Sequence, residues 1–350
     1  MQLCAVRRRH SPIRVFAALL AAGAVAIYAT AAHPQSAEEF YKGKTISIVA
    51  PANPGGSYDL HARLVARHLT KWIPGQPKAV VQNMLGAGGL RSIHYLYEKA
   101  PRDGTVLATP VQENVIADVV GGTEIRFKVE EFNWIGRAAV GIDAIFAWHT
   151  TGIKTIEDVK KTELVVGATS PASGTMLYPL VMNSIVGTRF KVISGYSNSD
   201  ARLAVERGET QGAFSSLTTL KSTSASWFTD KKINVLVMIA AERHPEFPVV
   251  PTLVELGRTP EEKQVLTIFE SAGSVGRSFA TTPQVPKDRV DALRRAFAAM
   301  LKDPEYLADF AKTDAELAPM SGEELQVLIQ TSRKVSPDVL ARARAAVVRR

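Results

Sequence analysis

The sequence predicts an α/β protein of two lobes joined by crossing strands. From Lys44 onward, short β-branched runs alternate with longer segments of helical period. That order implies parallel strands with helices covering the sheet. The plan starts again near Leu164, after an extended stretch from Phe132 to His149 that is long enough to pass from one lobe to the other. The length, 350 residues with 46% hydrophobic residues, supplies a sizeable core and suits two domains better than one.

In the first lobe, Thr45 to Ala50 reads as a strand, and Leu60, Leu64, Val65, Leu69, Trp72 and Ile73 recur at helical spacing on one face. Ala79 to Gln82 is the next strand; "NMLGAGG" turns the chain and Leu90 to Ala100 is helical. The turn "PRDG" at Pro101 to Gly104 leads into a third strand, Thr105 to Ala108.

In the second lobe, Leu164 to Ala168 is an apolar strand, "TSPASG" a turn, and Thr175 to Val186 a helix with Gly187 as its stop. Phe190 to Ser194 is a strand, "GYSNSD" leads into a helix over about Ala201 to Arg207 closed by Gly208, and Ile233 to Ala240 is again a strand. "FPVVPTLVELG", Phe247 to Gly257, begins the return, and the helical tail from Asp288 is expected to pack on the first lobe. The boundaries that follow are 38–145 plus 266–350 for the first lobe and 146–265 for the second.

The first residues read differently. Arg7, Arg8, Arg9 and Arg14 precede the apolar run Val15 to Ala29, and Ala29-Thr30-Ala31 supplies small residues for cleavage. This is the pattern of a secretory signal peptide over 1–31, cut between about 31 and 37, with an uncleaved anchor as the other reading. The formal charge of +8 counts those four arginines; without them 38 basic residues face 34 acidic ones, or +4. With no dense basic run remaining, the footprint of a nucleic-acid binder is absent. The single cysteine, Cys4, precedes the apolar run, so the exported chain has no thiol for disulfide, nucleophile or metal.

In open α/β sheets, ligands bind beyond the carboxyl ends of strands. That directs attention to the turns after Ala50, Gln82, Ala108, Ala168 and Ser194, each polar or glycine-rich. In "IVAPANPGGSYDLHARLV", Gly55 and Gly56 let backbone approach a ligand, and Gly56 is expected to accept a positive φ. Free amides at the start of the next helix suit a carboxylate or phosphate, with Ser57 as N-cap and Asp59 in the first turn. A capped helix after a glycine turn is equally ordinary as plain structure. Asp200 carries the same ambiguity between ligand contact and capping.

Several chemistries lack their motif. A dinucleotide fingerprint starting at Gly86 would need glycine at Arg91, and no Walker lysine pattern occurs. No G-x-S-x-G elbow is present, since Ser173-Gly174 lacks the leading glycine. His61 and His68 lie seven apart on one helix, with no metal-ligand spacing among the histidines. No catalytic residue, metal ligand or cofactor is therefore nominated. Tyr178 and Tyr196 lie near the second-lobe turns, where core packing is a commoner use than pocket lining.

Taken together and in order, "FYKGKTISIVAPANPGGSYDLHARLVA", "GAGG", "APRDGTVLAT", "GYSNSDARLAVERGE", "ERHPEFPVVPTLVELG" and "VPKDRVDALRRAFAAMLKDPEY" resemble the Bug family of periplasmic solute receptors, the binding proteins of tripartite tricarboxylate transporters. The resemblance implies a type II periplasmic binding protein fold that closes on a small organic acid. It implies a grip by backbone amides, hydroxyls and water rather than by an arginine. Carried over by motif, the ligand-facing residues would be Ala52, Asn53, Gly55, Gly56 and Ser57, with Asp59 bracing them, then Thr109 and Gln112. From the second lobe they would be Thr169, Ser170, Ser173, Gly174, Thr175, Tyr196 and Asp200. The implied setting is a periplasmic monomer that hands its carboxylate to membrane transporter subunits. A ligand-sensing partner of a membrane kinase is the alternative, and an exported α/β enzyme a more distant one.

Overall fold

The computed structural model describes residues 35–121, 125–313, 315–332 and 334–348; the expected signal peptide lies outside the described residues. The first run of chain gives β1 (Thr45–Ala50), α1 (Ser57–Leu69), β2 (Lys78–Asn83), α2 (Leu90–His94), β3 (Val106–Ala108) and α3 (Glu113–Val120). The crossing stretch is two strands, β4 (Asn133–Ala139) and β5 (Asp143–Trp148). Next come β6 (Leu164–Ala168), α4 (Gly174–Val181), β7 (Phe190–Ser194), α5 (Asn198–Glu206), β8 (Gly212–Ser216) and β9 (Ile233–Ile239). The return comprises α6 (Pro260–Val275), β10 (Arg277–Thr281), α7 (Lys287–Met300), β11 (Leu317–Ser321), α8 (Gly322–Ser332) and α9 (Pro337–Ala346).

These strands form two sheets, one ordered β11-β4-β10-β3-β1-β2 and the other β7-β6-β8-β5-β9. As the strand–helix alternation requires, β2, β1 and β3 run parallel, and so do β7, β6 and β8. The strands that carry the chain between lobes run antiparallel to their neighbours: β10 against β3 and β4, and β5 against β8 and β9. Both sheets are therefore mixed. A segment that leaves one sheet and a segment that re-enters it travel in opposite directions, which strand–helix counting does not register. Burial follows position in the sheet. Ile46, Ile48, Val49 and Ala50 of β1 are fully covered, as a central parallel strand must be, while β2 at the edge alternates exposed and half-buried residues.

α1 buries Asp59, His61, Ala62, Leu64, Val65, His68 and Leu69. Leu60 and Trp72, expected on that face, are 42% and 43% exposed. The helix tightens to a 3₁₀ turn at Thr70–Trp72, and Asp59 rather than Leu60 lies on its buried side. The second-lobe helix divides too. Pro179 lies inside α4, and the chain widens into a π turn at Met182–Val186 before Gly187, at φ +84°, ends it. Strand β8 has no counterpart among the strands expected from sequence, because "GAFSS" is short and half polar.

One core gathers Ile46, Ile48, Leu107, Phe279 and Phe297 under the first sheet, and another gathers Ile145, Val166, Val181, Val237 and Phe269 under the second. Ile116, Val119 and Val120 of α3 join the second core although α3 follows a first-sheet strand. The tail divides likewise: α7 packs on the first core, whereas Val339, Ala343 and Ala346 of α9 pack with the second. The tail thus does not return wholly to the first lobe: α9 lays its apolar face on the second core, and Arg344 Nε donates to the Val120 carbonyl at 2.7 Å. At the return point Gly276 adopts φ +55°, and a Cβ there would collide with the Ala139 carbonyl, so glycine is required where β10 re-enters beside β4. No described helix is long and apolar enough to cross a membrane.

Candidate functional site

Beyond the end of β1, the turn is held from beneath. The Asp59 carboxylate accepts from the Gly55 amide at 2.8 Å, Arg63 Nε at 2.9 Å and Asn83 Nδ2 at 2.8 Å. Burial pushes this acid up, but those bonds outweigh it and hold it below the ordinary carboxylate range. Asn83 also donates to the Ala52 carbonyl at 2.7 Å, tying the turn to β2. The positive φ belongs to Gly55, at +82°; Gly56 is extended, at φ −73°, and tolerates any residue by that measure. Gly56 is instead tight in space, since a Cβ would sit 3.1 Å from the Asn53 carbonyl oxygen. Asn53 and Gly55 are exposed, and Ala52, Gly56 and Ser57 half-buried.

Ser57 leads into a buried polar cluster centred on Arg277, the first residue of β10. Arg277 Nε donates to Ser57 Oγ at 3.0 Å, Nη1 reaches Gln112 Oε1 at 3.5 Å, and the guanidinium lies 4.2 Å from the centre of the Tyr58 ring. Gln112 Nε2 donates to Asp143 at 2.5 Å, and the Gln112 amide donates to Tyr58 Oη at 3.1 Å. Gln112, Glu113, Asp143 and Arg277 are all at most 5% exposed. Burial, then the charge of Asp143, pushes the Glu113 carboxyl up to about 7. Burial also raises Asp143, against the pull of Arg277 and Gln112. His61 faces the same charge: burial and then Arg277 push it down to about 4, so it is neutral in its place under the turn.

The second lobe meets this cluster directly. A Cβ on Gly174, at the start of α4, would collide with the Glu113 carboxylate, and one on Gly88 would lie 2.8 Å from Ser170 Oγ. The second-lobe turn is a hydroxyl network: the Thr169 amide donates to Thr175 Oγ1 at 2.9 Å, Ser173 Oγ donates to the Ser170 carbonyl at 2.6 Å, and Ser173 and Thr175 hydroxyls are 2.5 Å apart. Tyr178 stacks on Phe214 with ring centres 5.2 Å apart and donates to the Phe269 carbonyl, an arrangement that packs the core and closes one wall of the cluster. Around this meeting point several buried polar atoms have no protein partner: Thr109 Oγ1 at the end of β3, Asn114 Oδ1 on α3, Ser170 Oγ after β6 and Ser216 Oγ at the end of β8. Buried polar atoms are nearly always paired, so these mark where water or a ligand group belongs.

The structure therefore brings together Ser57, Gln112, Ser170 and Gly174 of the expected residues, with Thr109, Thr169, Ser173 and Thr175 alongside. Tyr196 and Asp200 take no part in the hydrogen bonds of that cluster. The Tyr196 ring lies over Gly167 and its amide bonds the Ala168 carbonyl, while Asp200 is exposed and forms a reciprocal cap with Ser197 at the start of α5. Asp200→Asn is accordingly expected to lower stability by about 0.5–1 kcal/mol and leave ligand affinity unchanged, checked by melting and titration of one sample. Sequence reasoning missed Arg277, Glu113, Asp143 and Tyr58. A signal was present, since Arg277 and Asp143 are lone charges opening apolar runs, "RSFAT" and "DAIFAW". Distance along the chain hid their convergence.

The other arginines serve elsewhere. Arg63 is tied to Asp59 and, at 3.2 Å, to Asn83; Arg91 is exposed on α2. Arg63→Gln and Arg91→Gln should each leave affinity within about tenfold, or about 1.4 kcal/mol, measured by calorimetry. Outside the cluster, His68, Asp303 and Glu305 place ligand atoms within 4.8 Å of one another, but Lys71 already binds both carboxylates, which makes an ion-pair group of them. A cavity of about 640 Å³ opens beside β9, lined by Lys154, Lys221, Phe228, Ile233 and Phe247.

No protein-family model matches the chain. It is 26% identical over 340 residues, 94% of this chain and 96% of the relative, to the UPF0065 protein in gbd 5'region of Cupriavidus necator. Among solved structures it superposes on the periplasmic binding protein BugD with a TM-score of 0.67 at 20% identity, over 87% of this chain and 98% of that one. MatC from Rhodopseudomonas palustris with bound malate gives 0.65 at 19% identity, over 87% and 99%. The two sheets, the crossing strands and the strand-end turns are thus those of the periplasmic binding protein fold. The chain's similarity to UPF0065 proteins runs along nearly its whole length, and its fold is that of the periplasmic binding proteins.

Proposed function

We propose that this protein is an extracytoplasmic receptor that captures a small organic acid between its lobes and delivers it to a tripartite tricarboxylate-type membrane transporter, with no catalytic step. One observation carries the reading: buried, unpartnered hydroxyls and an arginine converge where the strand ends of both lobes meet. That is the chemistry that replaces the water around a carboxylate. The bound malate of MatC and the arginine-run-then-apolar start of the sequence support the ligand class and the location respectively. The ligand-facing set is Ser57, Thr109, Gln112, Ser170, Ser173, Gly174 and Thr175 together with Arg277.

The test is a thermal-shift screen of C4 to C6 dicarboxylates, tricarboxylates and aromatic acids, joined to mass spectrometry of any ligand retained through native purification. A true ligand at a hundredfold excess over its Kd should raise the melting temperature by several degrees. A screen with no shift, and no retained acid, would overturn the receptor reading.

A further inference from the structure

We propose that the second lobe carries a further ligand site: the cavity beside β9 takes an amphipathic organic anion, a ring or short chain ending in a carboxylate. Its apolar part would lie against Phe228 and Phe247 and its charge at Lys154 and Lys231. The cavity measures about 640 Å³ and is walled by Phe228, Ile233, Val235 and Phe247. Small-molecule pockets span about 300–1,000 Å³ and combine apolar walls with a few polar groups. Phe228 and Phe247 make one aromatic wall, with ring centres 5.8 Å apart, yet both rings and Val235 are only half-buried. A ligand that covered them would gain the free energy of removing that apolar surface from water. The cavity also lies away from the strand-end turns. β8 and β9 both run antiparallel to β5, so they point the same way. Ser216, at the end of β8, belongs to the meeting point of the lobes, whereas Ile233 and Val235 open β9, at the opposite end of the sheet.

Charge selects the class of ligand. Lys154, Lys221 and Lys231 line the cavity against one acid, Glu246. Glu246 bonds Lys221 at 2.5 Å, which leaves Lys154 and Lys231 without a carboxylate partner among the described residues. Two unpaired ammonium groups beside an apolar wall suit a molecule that brings an anion and hydrophobic surface together. The backbone supplies an independent sign. Lys231 adopts φ +52°, in the left-handed region that favours glycine or asparagine, at the tight turn between the short helix Ala225–Thr229 and β9. Residues held in such conformations cluster at ligand sites, where the strain accompanies what the side chain does. Glycine would make this turn without strain, but it would remove a cation from the cavity.

Two pairs that differ only in the head group test this: octanoate with 1-octanol, and 4-phenylbutyrate with 4-phenyl-1-butanol, each titrated calorimetrically into the full protein at pH 7.5 and constant ionic strength. The expected result is one equivalent bound, with at least one acid about tenfold or more tighter than its alcohol. The double variant Lys154→Gln, Lys231→Asn, in which asparagine tolerates the positive φ, should cut that preference to about threefold or less and leave the alcohol unchanged. Ala225→Trp, on the cavity wall, should weaken acid and alcohol alike. Crystals soaked with 4-(4-bromophenyl)butyrate should show the bromine beside Phe228 and Phe247. No binding by either acid, equal binding of acid and alcohol, a preference that survives the double variant, or bromine at the strand-end cluster would each overturn the assignment. Lys154 and Lys231 are exposed, so the double variant should melt with the parent. Should it not, the head-group preference of the unaltered protein and the bromine position decide.

Discussion

Replacing Arg277 with glutamine is expected to lower the unfolding free energy by about 3 kcal/mol or more at pH 8, and by much less at pH 5. Arg277 is the cation that faces Glu113 and Asp143 in a region almost without solvent, and it also holds Ser57 and stacks on Tyr58. Without it, two carboxylates are left in low dielectric and both are pushed further up. Stability from an acid raised in the folded state is fully present below its unfolded pKa and is lost as pH rises through the folded one. The deficit of the variant should therefore open as pH rises and close on acidification. Denaturant titrations at the two pH values read it, and affinity for whichever acid the screen identifies should drop at least a hundredfold. An Arg277→Gln protein as stable as the parent at pH 8 would show that other groups compensate the acids.

Glutamine at Glu113 should act in the opposite sense. In the unaltered protein burial and Asp143 hold this carboxyl up, from an ordinary 4.5 to about 7, so folding favours its protonated form. Stability present below about pH 4.5 is therefore surrendered between there and about pH 7 or beyond, up to about 3 kcal/mol in all. Glu113→Gln keeps the shape and removes the titration. It should be the more stable protein at pH 8, about equal to the parent at pH 4.5, and flatter between. Melting profiles across that interval decide, and identical slopes in the two proteins would place the titrating group elsewhere. The two variants also check one another, since one deletes the cation and the other an anion of the same cluster.

Much of the fold was legible along the chain because its signals are local. Thr45–Ala50, Leu164–Ala168 and Phe190–Ser194 are strands over the same residues that β-branched runs mark, and Gly187 stops a helix where a residue with positive φ was required. The brace of Asp59 on the first turn was implied by the family resemblance rather than by spacing, and the Gly55 amide bonds its carboxylate. Less was legible where two distant segments had to be compared. Leu60 and Trp72 fit a helical face by spacing, yet a 3₁₀ turn and an inward Asp59 leave them exposed.

From its sequence alone this protein is a two-lobed α/β chain with polar turns at the strand ends and an arginine-led apolar start, since strand and helix periods, glycine turns and caps depend on neighbours a few residues apart. Only the tertiary structure decided that both sheets are mixed, that the last helix crosses to the second core, and that Ser57, Gln112, Glu113, Asp143 and Arg277 form one buried cluster. Ser57 and Arg277 are 220 positions apart. Their meeting is fixed by where the crossing strands end, and the balance of one cation against two acids exists only once water has been removed from around them.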